Sequence, residues 1–158
     1  MPFQIHALPN DPFLPLHDLT DEALVALGAR RMVADAKPGF PCRVSLADAD
    51  PGETVILLNH EYQPAQSPYR ARHAIFVREH AEQAHPAPGE VPLSLASRLL
   101  SVRAFDADDM IRDAEVLEGT GLADLLDTMF ADPGTAYVHI HNARRGCYAA
   151  RATRPGEV

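Results

Sequence analysis

Two imidazoles and two guanidiniums fall close together in Tyr137-Val138-His139-Ile140-His141-Asn142-Ala143-Arg144-Arg145-Gly146-Cys147-Tyr148, the densest group of chemically active side chains in the sequence. Side chains alternate across a β-strand, so Val138 and Ile140 face one way while Tyr137, His139 and His141 face the other. Imidazole titrates near neutral pH and ligates metals, so the pair suits acid–base work or a cation. The guanidinium forks of Arg144 and Arg145, with the amide of Asn142, suit a carboxylate or phosphate.

A catalytic metal needs a third protein donor and an open position. His60, His73 and Cys42 are available, and spacing selects none of them. A cupin would follow its His-x-His with a glutamate, yet no Glu lies between His141 and Glu157. A histidine-triad hydrolase would need histidine where Tyr137 and Ala143 stand. His139 and His141 thus remain metal candidates without a recognised pattern, and the residues name no cofactor. The plainer reading turns both imidazoles to solvent on a two-faced strand.

The two cysteines each carry two readings. If the loop after Asn142 has four residues, Asn142 opposes Cys147 and the thiol packs on the Val138/Ile140 face. If Gly146 forms a bulge, the register shifts by one and Cys147 joins the imidazoles as a nucleophile. Cys42 sits before Arg43 in a loop stiffened by Pro38 and Pro41, and it is either a positioned functional group or a buried thiol. The catalytic candidates are therefore His139, His141, Cys147 and Cys42; the ligand-binding candidates are Arg43, Asn142, Arg144 and Arg145. Arg78 and Arg103 lie in apolar strands, where a buried guanidinium needs a carboxylate, with Glu79 and Glu115 as the expected partners.

The elements that position these groups are short. Residues 3–8 alternate as a first strand, and Pro9, Pro12 and Pro15 then keep the chain extended or turning. Thr20 caps a helix over 20–27 that closes at Gly28. Strands follow at 30–34, 54–58 (apolar enough to be buried on both faces) and 73–78, with a polar, proline-broken stretch over 61–72. One helical turn fits 92–97. A hairpin joins 99–105 to 110–117 through the aspartates at 106, 108 and 109, and a helix over 121–131 carries Leu122, Leu125, Leu126 and Met129 at helical spacing. A closing hairpin spans 136–152, and residues 153–158 form a frayed tail. The expectation is a single α+β domain over 1–152, mainly an antiparallel sheet with two short helices.

At 158 residues and 46% hydrophobic composition, the chain is one domain with a full core. A formal net charge of -8 repels phosphate backbones and anionic lipid, so neither nucleic acid nor membrane is an expected partner. All but one of the 14 basic residues are arginine, Lys37 being the exception. Two cysteines are too few for a disulfide framework, and the N-terminus lacks the basic and apolar regions of a signal peptide. A cytoplasmic protein is the natural inference.

Four segments together resemble a bacterial domain-of-unknown-function family, number twelve-oh-three in that series: residues 35–43, Phe76-Val77-Arg78-Glu79, Arg103-Ala104-Phe105-Asp106-Ala107, and Val138-His139-Ile140-His141-Asn142-Ala143. The resemblance runs from Phe3 to about Arg151. It implies a single bacterial, cytoplasmic domain and brings no activity or catalytic residue with it. The residues themselves favour a domain that binds an anionic small molecule in a pocket lined by His139, His141, Arg144 and Arg145, with the Cys42–Arg43 loop over it. The alternatives are a non-catalytic module that pairs with a second copy of itself as a homodimer, and a mononuclear metalloenzyme using the His-x-His.

Overall fold

Local signals in the chain are strong enough to set most of its elements. The computed structural model describes residues 2–158. Thr20 accepts a hydrogen bond from the Ala23 amide at 3.1 Å, capping α2 (Asp21–Ala26), and Gly28 ends that helix at a φ of 79° that favours glycine. The 99–117 hairpin forms as β5 (Leu99–Phe105) and β6 (Ile111–Glu118), and α4 (Leu122–Ala131) follows with Leu122, Leu126, Met129 and Phe130 buried. The remaining strands are β1 (Gln4–His6), β2 (Arg30–Val33), β3 (Thr54–Gln63), β4 (Ala71–Arg78), β7 (Tyr137–Asn142) and β8 (Tyr148–Thr153).

These strands make two antiparallel sheets. One has the order β1-β8-β7-β5-β6 and the other β2-β3-β4. The fold is thus α+β, as the sequence leads one to expect. Besides α2 and α4, two four-residue helical turns are present, α1 (Leu14–His17) and α3 (Leu93–Ala96). The second was expected; the first was not, because its prolines read as breakers. Proline in a helix's first turn removes an amide that has no partner there anyway.

All six residues of β7 are buried, which decides the environment of the site. Val138 and Ile140 belong to the main core, with Leu100 and Val102 of β5 and Leu126 and Phe130 of α4. The opposite face meets the second sheet through Tyr62 near the end of β3. A strand covered on both sides contributes most when its neighbours are fixed, and here β5 and β8 flank it.

Four sequence expectations change. β3 runs on through Gln63, since residues 59 and 60 still pair with β4 and the register shift comes only between His60 and Gln63. The chain after Ala152 is held: β8 includes buried Thr153, and the Arg154 guanidinium donates to the carbonyls of Thr135, Phe130 and Asp132. Arg78 pairs with Glu53 at 2.7 Å, and not with Glu79. Arg103 lies opposite Ala114, so its neighbour Glu115 projects to the other face and the expected pair does not form.

The exposed edge strand β6 carries Arg112, Asp113, Glu115 and Glu118, charges that oppose addition of a further strand. No helix among the described residues is long and apolar enough to cross a membrane. Gly119 is a point of close backbone approach: a Cβ there would stand 1.9 Å from the Leu95 carbonyl oxygen and 2.8 Å from that of Arg98. Gly119→Ala is therefore expected to cost about 2–3 kcal/mol by forcing the backbones apart. Urea denaturation of the purified variant reads this directly, and an unchanged midpoint would contradict it.

Candidate functional site

His139 and His141 lie on the face of β7 that the second sheet covers, only 4% and 0% exposed. They are not turned to solvent. Cross-strand pairing sets their neighbours: Arg103 on β5 and Arg151 on β8 lie opposite His139, while Ser101 and Tyr148 lie opposite His141. The Tyr62 ring meets the His141 ring edge-on at 4.9 Å and stacks on Tyr148 at 5.5 Å.

Partners fix the tautomer of His141. The Gly146 carbonyl, 3.0 Å from Nδ1, can only accept, and the Arg103 guanidinium, 3.4 Å from Nε2, can only donate. The ring is thus neutral with its proton on Nδ1. Burial outweighs the Gly146 bond and, helped by Arg103, pushes the His141 pKa down to about 4. His139 falls to about 3, by burial first, then by repulsion from His141 once that ring is protonated and from the guanidiniums of Arg151 and Arg103. Neither ring is poised for acid–base work near neutral pH, and the Nδ1 of His139 has no hydrogen-bond partner among the described residues.

The metal reading needs a third donor beside this pair. The two imidazole rings are 6.4 Å apart between centroids, and no group of three or more His, Cys, Asp or Glu among the described residues is arranged to hold an ion. The rings packed against them belong to Tyr62, Phe105, Tyr137 and Tyr148, and Arg103 and Arg151 stand opposite His139 on the flanking strands.

The arginines of the turn go elsewhere. The loop has four residues, with the Asn142 amide donating to the Cys147 carbonyl at 2.9 Å and Gly146 at a φ of 77°. A register shift does occur, but beyond Cys147, between the pairs Ile140–Ala150 and His141–Tyr148. It brings Tyr148, not Cys147, to the imidazoles. Cys147 is 8% exposed and receives a 3.6 Å contact from Asn142 Nδ2.

Arg144, Arg145, Asn142 and Cys147 instead line a cavity of about 410 Å³ together with Arg43 and His73. His139 lines a second cavity, of about 510 Å³, and His141 lines neither. One pocket holding all four of His139, His141, Arg144 and Arg145 is therefore not what the chain builds. The turn carries its arginines to the end of β7, beside Asn142, and away from the covered strand face.

Arg43 is the residue whose weight the sequence understated. It is 2% exposed, with Nε donating to the Tyr148 carbonyl at 2.7 Å and Nη1 donating to the Pro41 carbonyl. No carboxylate lies within 4.0 Å of it among the described residues. Burial pulls its pKa below the ordinary arginine value, with Cys147 and Cys42 beside it. Arg98, in the same cavity, is already engaged by Asp48.

Cys42 stands apart from this cavity. It is buried in a small core with Phe13, Val44, Ile75 and Val77, and its sulfur accepts from the amides of Ser45 and Arg78 at 3.4 and 3.3 Å. Its role is to pack the loop that carries Arg43. Both thiols are free.

The family described as Protein of unknown function (DUF1203) matches residues 39–154, a span that holds the whole lining of the first cavity, that of the second apart from Leu8, and the whole of β7 and β8. The chain belongs to that family. The matched stretch of this DUF1203 protein begins at the loop beneath Arg43 and ends at the arginine that ties down the last strand. No curated protein and no solved structure matches it.

Proposed function

We propose that this DUF1203 domain is a cytoplasmic bacterial protein that binds a small anion, a phosphate or carboxylate, in the cavity between Arg43, Arg144 and Arg145. One observation carries the reading: a buried guanidinium borders a cavity and has no carboxylate partner among the described residues. A buried cation without an anion is costly, and proteins resolve that cost by pairing it. Here Arg43 meets the backbone carbonyls of Tyr148 and Pro41 and the sulfur of Cys147, and no carboxylate among the described residues.

The surroundings support the same charge. Arg144 and Arg145 are exposed at the cavity's rim, where they can close on an anion, and Glu118 is the one carboxylate side chain of its lining. The amide oxygen of Asn142 is buried there without a partner among the described residues, ready for a donor on the ligand such as a hydroxyl. On a chain of net charge -8 this cluster is a local reversal of sign, which also steers an anion to it. Two free thiols fit a reducing compartment.

Thermal unfolding in phosphate, sulfate and a short dicarboxylate, each against chloride at equal ionic strength, tests the reading. A ligand at about a hundredfold excess over its Kd stabilises by about 2.7 kcal/mol, which raises Tm by several degrees. The pair of substitutions Arg144→Gln and Arg145→Gln should remove most of that rise while leaving Tm in chloride unchanged. Equal Tm in every anion would overturn the proposal.

A further inference from the structure

We propose that the second cavity is a separate binding site for a small aromatic carboxylic acid, held by Arg151 and His139 and walled by tyrosines. This goes beyond the anion cavity and does not depend on it, since the two linings share no residue.

Two orphaned polar atoms point to the ligand. His139 and Arg151 are direct cross-strand partners on β7 and β8, so their side chains leave the same face side by side. His139 Nδ1 and Arg151 Nε are both buried, and neither has a hydrogen-bond partner among the described residues. Both residues line the 510 Å³ cavity. Two nitrogens adjacent on one wall, one a permanent donor and the other a neutral imidazole nitrogen, suit the oxygens of one carboxylate. His139 is 4% exposed, so water offers its ring little compensation.

The other walls set the body of the ligand. Tyr62, Tyr137 and Tyr148 line the same space, with the rings of Tyr62 and Tyr148 nearly parallel and stacked. The Arg151 guanidinium already lies 4.5 Å over the Tyr137 ring. Aromatic walls favour a planar ring by edge and face contacts. The Tyr137 hydroxyl donates to Asp109 at 2.6 Å and accepts from Gln63 Nε2 at 3.0 Å, so it is the Asp109 carboxylate, in the same lining, that has acceptor capacity left for a donor on the ligand. An acid with a ring hydroxyl, such as 4-hydroxybenzoate, satisfies both ends.

The test is an NMR titration of the full chain with 4-hydroxybenzoate, following the side-chain nitrogens of His139, with cyclohexanecarboxylate as an aliphatic acid of similar size. Saturable shifts at His139, with the aromatic acid bound several-fold tighter than the aliphatic one, are expected. Arg151→Gln should weaken binding about tenfold or more, and Tyr62→Leu, a milder change at a half-buried position, should weaken it several-fold. Replacing Arg144 and Arg145 by glutamine should leave it unchanged. No saturable shift at His139, equal affinity for the two acids, or loss of binding on changing Arg144 and Arg145 would each overturn the assignment. If Arg151→Gln does not fold, the Tyr62 variant and the comparison of acids decide it.

Discussion

Acidification from about pH 7 to about pH 5 is expected to remove about 4 kcal/mol of stability through His139 and His141 alone. In the folded protein their pKa values lie at about 3 and about 4, against 6.5 for a free imidazole. The unfolded chain therefore binds protons that the folded one refuses. Their contribution is complete above pH 6.5 and declines as pH falls below it, continuing down to the folded values. At about pH 5 each unfolded imidazole gains about 2 kcal/mol from protonation, and the folded rings gain almost nothing. A domain of ordinary stability has about 5–15 kcal/mol in total, so the pair consumes a large part of it. Both rings are almost wholly buried, so solvent screening takes little away.

Urea denaturation across this pH range, repeated on His139→Gln and His141→Asn, measures the effect. His6, His17 and His60 are also depressed by burial and add to the slope, but they are common to all three proteins. Each substitution should flatten the slope by about half of the pair's share, whatever it costs at neutral pH. Identical slopes in wild type and variants would show that these rings titrate normally. NMR of the imidazole protons gives an independent reading, with the His139 resonances unmoved above about pH 4.

How much of this was legible in the residues differs between elements and site. The cap at Thr20, the aspartate turn of the β5–β6 hairpin and the leucine spacing of α4 act over a few residues, and each forms where its chemistry says. The far end of β3 was hidden because Asn59 to Gln63 has no apolar alternation; its pairing is set by β4, and its aromatic Tyr62 is fixed by contact with the other sheet. The orientation of His139 and His141 follows from strand alternation, but their burial does not. A strand with aromatic and imidazole side chains on one face reads as half-exposed, and only the arrival of a second sheet covers it.

The site shows the same limit more sharply. Arg144, Arg145 and Asn142 could be placed together because the turn joins them. Arg43 is bonded to Tyr148, 105 residues further along the chain, and no local pattern reports such a contact. The sequence could set Arg43 beside the turn's arginines as a ligand candidate, but it also added the nearest imidazoles, which the fold keeps out of that cavity.

Replacing that guanidinium separates its structural share from its binding share. Arg43→Met keeps an unbranched apolar stem and removes the guanidinium with its charge. Against the substitution stands the loss of donors to the Tyr148 and Pro41 carbonyls, each a charge-assisted bond worth about 1.5–3 kcal/mol net. In its favour stands relief from burying a cation without a counter-charge, which in a dry interior amounts to several kcal/mol. The relief is smaller here because the guanidinium borders a cavity with an exposed rim and carries its charge over a weakly hydrated plane. The bonds should win, and the variant is expected to be about 2–4 kcal/mol less stable in chloride. The backbone of Arg43 stays anchored, since its amide bonds to Phe76 and its carbonyl to Leu8, so the loop keeps its place. In phosphate the gap should widen by the wild type's ligand-linked stabilisation, because only the wild type gains from the anion. Chemical denaturation in the two buffers separates the terms: an equal gap in both would make Arg43 a purely structural residue, and a variant stabilised by phosphate as much as wild type would remove it from the site.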